Sequence, residues 1–166
     1  PLPGIRLEVV EDYTEGSRCD EGFLKLKRRK FVAKYPASGA TPQQTTPAFP
    51  YDVVERWLQD AVAVLLHFEC KGTEMVLLRS AVRPALGLRT QPLVAGAGDL
   101  PEGAEHGELW EIPAGLVEAD EHSASGLLAC VVRETHEEMG LRIEEREVRP
   151  LGGALLPTAG VIAECV

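Results

Sequence analysis

Residues 111–141 read EIPAGLVEADEHSASGLLACVVRETHEEMGL, and the run Arg133-Glu134-Thr135-His136-Glu137-Glu138-Met139-Gly140 sets three carboxylates within five residues. An α-helix turns by about 100° per residue, so Glu138 lies about 40° from Glu134 and Glu137 about 60° to the other side. All three acids therefore share one arc of a helix. Arg133 stands one turn before Glu137, within reach of a carboxylate. Like charges this close repel and weaken an isolated helix. A bound divalent cation reverses that sign and makes the acids a ligand set. The competing reading is a solvated charged face, which most glutamate-rich helices are. Ser123 or Ser125 is the expected N-cap, Met139 the last helical residue and Gly140 the left-handed residue that ends the helix. Leu127 or Leu128, Val131, Thr135 and Met139 make the stripe expected to pack it on a sheet.

Outward from this helix, Leu109–Pro113 reads as a short strand and Ala114-Gly115 as a turn. Residues 84–108 are rich in Gly, Pro and Ala; a loop of that length inside a compact domain is usually functional or mobile. The near-continuous apolar run from Asp60 to Phe68 suits a strand buried on both faces, with Glu74–Arg79 as its hairpin partner across the Lys71-Gly72 turn. Before it, Tyr51–Trp57 is extended, residues 35–50 are a loop, and the basic run 23–34 gives one or two strands with Lys and Arg outward. Those cations are more simply a solvated face that discourages edge pairing than an anion site. Ile5–Val10 is a strand in a loosely attached arm, and Leu141–Val148, Leu151–Leu156 and Val161–Val166 read as later strands.

The chain has 166 residues, 45% of them apolar and 26% charged, enough for one domain with its own core. Its net charge of −9 excludes general nucleic-acid binding, which needs a basic face. An acidic protein acting on an anionic substrate needs a metal to screen its own carboxylates. Cys19, Cys70, Cys130 and Cys165 are scattered without C-x-x-C spacing, so neither a zinc site nor a disulfide framework is expected, and reduced thiols suit a cytoplasmic protein. The longest apolar run, Ala61–Phe68, is too short to span a membrane. His67, His106, His122 and His136 read as structural or solvent-facing, and there is no G-x-S-x-G or P-loop.

Gly115, Glu121, Arg133, Glu134, Glu137, Glu138 and Gly140 resemble the Nudix box, G-x5-E-x7-R-E-U-x-E-E-x-G-U with U apolar. Five fixed residues in R-E-x-x-E-E-x-G arise by chance on the order of once in a million starts, which outweighs the solvated-face reading. One departure stands out: eleven residues separate Glu121 from Arg133, where the family has seven. The extra four lie either before or after the matching acid, so Glu118 and Asp120 are alternatives to Glu121. The resemblance extends over roughly residues 24–166, through Leu78-Arg79-Ser80-Ala81-Val82-Arg83-Pro84, Glu111–Gly115 and Thr158–Glu164, which are similar to segments of Nudix ADP-ribose pyrophosphatases.

That resemblance implies an α/β (α+β) fold, the Nudix α/β/α sandwich with a mixed sheet. It also implies a β-rich arm over residues 1–56 that makes a homodimer, followed by the hydrolase domain over 57–166. The resembled fold continues beyond this chain's last residue by one or more strands and a closing helix, so that part is expected to be missing. The implied reaction is cleavage of a nucleoside diphosphate sugar with Mg²⁺ or Mn²⁺, with ADP-ribose giving AMP and ribose 5-phosphate. Glu134, Glu138, the Ala114 carbonyl and Glu121 are the implied metal ligands, hard oxygens that suit Mg²⁺. Glu137 is a ligand or holds one in place, Arg133 orients a glutamate, and Glu164 is the implied general base, otherwise a solvent-facing strand residue. Arg83, Arg56, Trp57 and Glu111 are the implied substrate contacts, with a surface Arg83 and a core Trp57 as the plainer readings. UDP-glucose or another nucleotide sugar is the alternative substrate. A sensing module that binds without turnover is the alternative class, although such modules tend to lose box glutamates that this chain keeps.

Overall fold

The computed structural model describes residue 9, residues 14–90 and residues 104–155. The expected strands at Ile5–Val10 and Val161–Val166, residues 91–103 of the long loop, and Glu164 lie outside the described residues. The chain divides into two compact units, Tyr13–Ala61 with Gly152–Val166, and Pro1–Asp12 with Val62–Leu151.

In the first unit, β1 (Lys25–Phe31) and β4 (Phe49–Glu55) form an antiparallel pair with Lys25 opposite Glu55 and Phe31 opposite Phe49. Two shorter strands, β2 (Lys34–Tyr35) and β3 (Gln44–Thr45), pair within the stretch read as loop. The basic run of β1 spends part of its charge on the acids of β4: Arg28 lies 3.5 Å from Asp52 and Arg29 lies 3.4 Å from Glu55. At this exposure each pair contributes about 0–1 kcal/mol. Phe31, Phe49 and Tyr51 cluster with ring centroids 6.4 Å apart in both contacts of Phe31.

The second unit carries the charged helix. The apolar run 60–68 is not one buried strand. It breaks into β5 (Ala61–Ala63) and β6 (His67–Cys70), and Val64 alone within it is buried. The break has a plain cause: the chain changes partners. Val64 N–H donates to the Pro113 carbonyl at 2.8 Å, whereas the Leu66 carbonyl accepts from Leu77 N–H at 2.9 Å. β6 then pairs with β7 (Thr73–Val76) across a two-residue turn, Lys71 and Gly72, both at positive φ as a type I′ hairpin turn requires. β8 (Arg79–Val82) leads into a single helical turn, α1 (Pro84–Gly87), and pairs antiparallel with β9 (Glu108–Glu111), placing Arg79 opposite Glu111. Residues 114–116 form a strand, β10 (Ala114–Leu116), rather than a turn, and β10 pairs with β5.

Helix α2 (Ala124–Met139) runs as the sequence indicates. Ser123 is the N-cap, its hydroxyl accepting from Gly126 N–H at 3.0 Å, and Gly140 closes the helix at φ 68°. Of the expected stripe, Thr135 is buried and Leu128, Val131 and Met139 are half-buried, with Leu128 rather than the exposed Leu127 on that side; Cys130 and Glu134 are buried beside them. The face that α2 turns to the strands is therefore partly polar. Beyond it, Leu141–Val148 is not a strand. Glu144 caps a 3₁₀ turn at Glu145–Glu147, with the Glu147 side chain returning to the Glu144 N–H at 2.8 Å, and this local capping competes successfully with pairing. Residues 151–155 form no strand either. Helix and strands together give the α/β class expected. Cys19, Cys70 and Cys130 are free thiols. Among the described residues no helix is long and apolar enough to cross a membrane.

The fully buried Thr135 hydroxyl has no hydrogen-bond partner among the described residues. Replacing it with the isosteric Val removes that desolvation cost. Thr135→Val should raise the urea midpoint with an unchanged slope, a gain of about 1 kcal/mol.

Candidate active site

The centre of the site is the guanidinium of Arg133, whose side chain is 27% exposed. Its Nε donates to Glu121 Oε1 at 3.0 Å and its Nη2 to Glu121 Oε2 at 2.8 Å, a bidentate fork. Nη1 donates to Glu134 Oε1 at 2.6 Å and to Glu137 Oε2 at 3.3 Å, and Nη2 also reaches the Leu116 carbonyl at 3.0 Å. One cation thus ties the loop after β10 to three acids. Of Glu118, Asp120 and Glu121, it is Glu121 that meets Arg133. Its carboxyl is held down at about 2, chiefly by that arginine and then by the Glu118 N–H. The Cys130 thiol, which bonds the Leu116 carbonyl at 3.6 Å, is pushed up to about 12 by burial and then by Glu121, so it is a neutral packing group.

Glycine shapes both ends of this cluster. A Cβ on Gly115 would collide with the Glu134 carboxylate, and one on Gly126 with the Glu121 backbone. Only bare backbone leaves room for the acid in the first case and for the crossing loop in the second.

A second ion-pair chain begins one turn along α2. Glu138 Oε2 accepts the Ala114 N–H at 3.0 Å, and its Oε1 lies 3.0 Å from Arg79 Nη2. Arg79 also holds Glu111 Oε1 at 2.9 Å, and Arg83 bonds both oxygens of Glu111 at 2.7 and 2.9 Å. The order is Glu138, Arg79, Glu111, Arg83. Counted over both clusters, five carboxylates face three guanidiniums, which leaves two negative charges, the amount one divalent cation neutralises.

The chain matches the family model of the NUDIX domain over residues 57–158, more than half its length. It belongs to the NUDIX family. No curated protein and no solved structure matches it significantly. Membership places it among hydrolases that act on the phosphoric anhydride bond of nucleoside diphosphate derivatives, generally with Mg²⁺ or Mn²⁺.

The NUDIX helix and its flanking strands bring Arg133, Glu134, Glu137, Glu138, Glu121, Ala114, Glu111 and Arg83 into the two linked clusters. Arg56 and Trp57 belong to the other unit, where Arg56 donates to the Gln59 carbonyl at 3.1 Å and Trp57 is 90% exposed. Arg79 and the Leu116 carbonyl were not singled out by the sequence reading. Arg79 could have been found only from the β8–β9 register that sets it opposite Glu111. Among the described residues no three His, Cys, Asp or Glu side chains converge closely enough to hold a metal as they stand. The donor chemistry nevertheless fits a hard divalent cation. Glu134 is cradled under Gly115, Glu138 sits at Ala114, and the acids carry the surplus charge.

Two outcomes follow for Arg133 and Glu121. Arg133→Gln strands the part-buried Glu121 and Glu134 carboxylates and should cost about 3 kcal/mol in urea unfolding. The folded Glu121 carboxyl lies below its ordinary value of 4.5, so its stabilisation is complete above about pH 4.5 and is lost as pH falls toward 2. Acid unfolding of Glu121→Gln should be flatter across that window than in the unaltered protein.

Proposed function

We propose that this NUDIX protein cleaves the diphosphate of a nucleoside diphosphate sugar, with ADP-ribose hydrolysed to AMP and ribose 5-phosphate. The observation that carries the reading is the pair Glu134 and Glu138, one helical turn apart, set against the backbone of residues 114–115 by Gly115 and the Ala114 N–H. Glu134, Glu138 and the Ala114 carbonyl would hold Mg²⁺ or Mn²⁺, with Glu137 beside them on the exposed side; Glu121, expected with them from the sequence, gives both oxygens to the Arg133 fork and is assigned instead to hold that arginine. When bound, the ion supplies positive charge against the diphosphate oxygens.

The chain's own residues do the remainder. Arg133, itself gripped by Glu121, fixes Glu134 through a bond from Nη1 to its Oε1. Arg83 presents a planar donor fork suited to a phosphate or ribose oxygen, and Glu111 aims it. Trp57 and Arg56 are assigned to the adenine, a role that the exposed indole supports. Glu164 is assigned as general base: it takes the proton from the attacking water while the P–O bond to the leaving phosphate breaks. In the same reading, residues 57–166 are the hydrolase domain and residues 1–56 a β-rich arm through which a cytoplasmic homodimer forms.

Incubation with ADP-ribose and Mg²⁺ should release AMP, detectable by chromatography, and Glu134→Gln or Glu138→Gln should lower the rate by about 100-fold or more. Turnover of UDP-glucose in place of ADP-ribose would transfer the assignment to that sugar nucleotide. Binding of either without turnover would make the protein a sensing module.

A further inference from the structure

We propose that Arg79 is a positioning residue that occupies Glu138 until a divalent cation displaces it, and that the displaced guanidinium then recruits the anionic phosphate. The inference rests on the metal reading above and adds a coupling between metal and substrate binding. Arg79 Nη2 stands between two acids, 2.9 Å from Glu111 Oε1 and 3.0 Å from Glu138 Oε1. The other Glu138 oxygen is already committed to the Ala114 N–H. A cation that takes Glu138 therefore competes with Arg79 for the same carboxylate.

A guanidinium cannot yield by losing its proton, so it yields by losing a partner. Its remaining partner is Glu111, and both oxygens of Glu111 are already bonded by Arg83. Once Glu138 turns to a metal, two arginines share one carboxylate. The excess positive charge lies at the β8–β9 end of the site, on side chains that are 28% and 53% exposed and so open to a ligand. A phosphate is the chemistry that two guanidinium forks with one unmet charge recognise. By linkage the effect is reciprocal: the anion that captures Arg79 frees Glu138 and tightens the metal by the same factor.

The test is Mn²⁺ binding, read from the electron paramagnetic resonance signal of free Mn²⁺, with and without AMP. It compares the unaltered protein, Arg79→Gln and Glu138→Gln. In the unaltered protein AMP should tighten Mn²⁺ about 5-fold or more. Arg79→Gln should bind Mn²⁺ more tightly than the unaltered protein when no anion is present, and AMP should no longer change its affinity. Equal or weaker Mn²⁺ binding by Arg79→Gln, or an AMP effect that survives the substitution, would overturn the exchange. If Glu138→Gln binds Mn²⁺ as the unaltered protein does, the metal assignment itself fails, which separates the two ideas. Should Arg79→Gln fold poorly, Arg79→Lys serves: its single ammonium holds the two acids less firmly, so anion-free Mn²⁺ affinity should again rise. No rise would count against the proposal.

Discussion

A single guanidinium carries the site. Arg133 spends its donors on Glu121, Glu134, Glu137 and the Leu116 carbonyl, so it joins the box helix, the loop after β10 and the strand itself. Lysine could not replace it, because the contacts point in fixed planar directions and an ammonium has no fork. Without that cation Glu134, only 7% exposed, would be a buried carboxylate stripped of its guanidinium partner, which is costly. The acids of this helix repel one another as an isolated segment. In the folded protein that repulsion is held down by an arginine that is itself fixed by β10.

The two ion-pair groups divide the work in a way that their partners explain. Arg133 engages acids that are mostly buried and whose geometry is closed: Glu121 gives both of its oxygens to one fork. Arg79 engages Glu138 through one oxygen and shares Glu111 with Arg83. The surplus of carboxylate lies in the first group, three acids to one guanidinium, while the second is balanced at two to two, and that surplus favours a cation beside the site of an anionic ligand.

What the sequence disclosed, it disclosed through local rules. Ser123 and Gly140 mark the ends of α2 because capping and left-handed φ are decided within a few residues. The arc of Glu134, Glu137 and Glu138 follows from helical phase alone. What it withheld depends on partners distant in the chain. The run 60–68 has the composition of one buried strand, yet its backbone hydrogen bonds pass from Pro113 to Leu77, and no window of nine residues records that exchange. Residues 141–148 alternate well enough for a strand, but Glu144 and Glu147 satisfy each other's backbone in a 3₁₀ turn. Arg79 is unremarkable until the β8–β9 register sets it opposite Glu111.

The spacing that departs from the family pattern has a geometric answer. Of the eleven residues between Glu121 and Arg133, Ala124–Val132 are helical. The loop after β10 returns to the helix by crossing at Gly126, where any side chain would strike the Glu121 backbone, so that the Glu121 carboxylate meets the guanidinium from the loop side. The wider spacing is compatible with that pair because the contact that matters is between two side chains rather than between fixed positions along the chain.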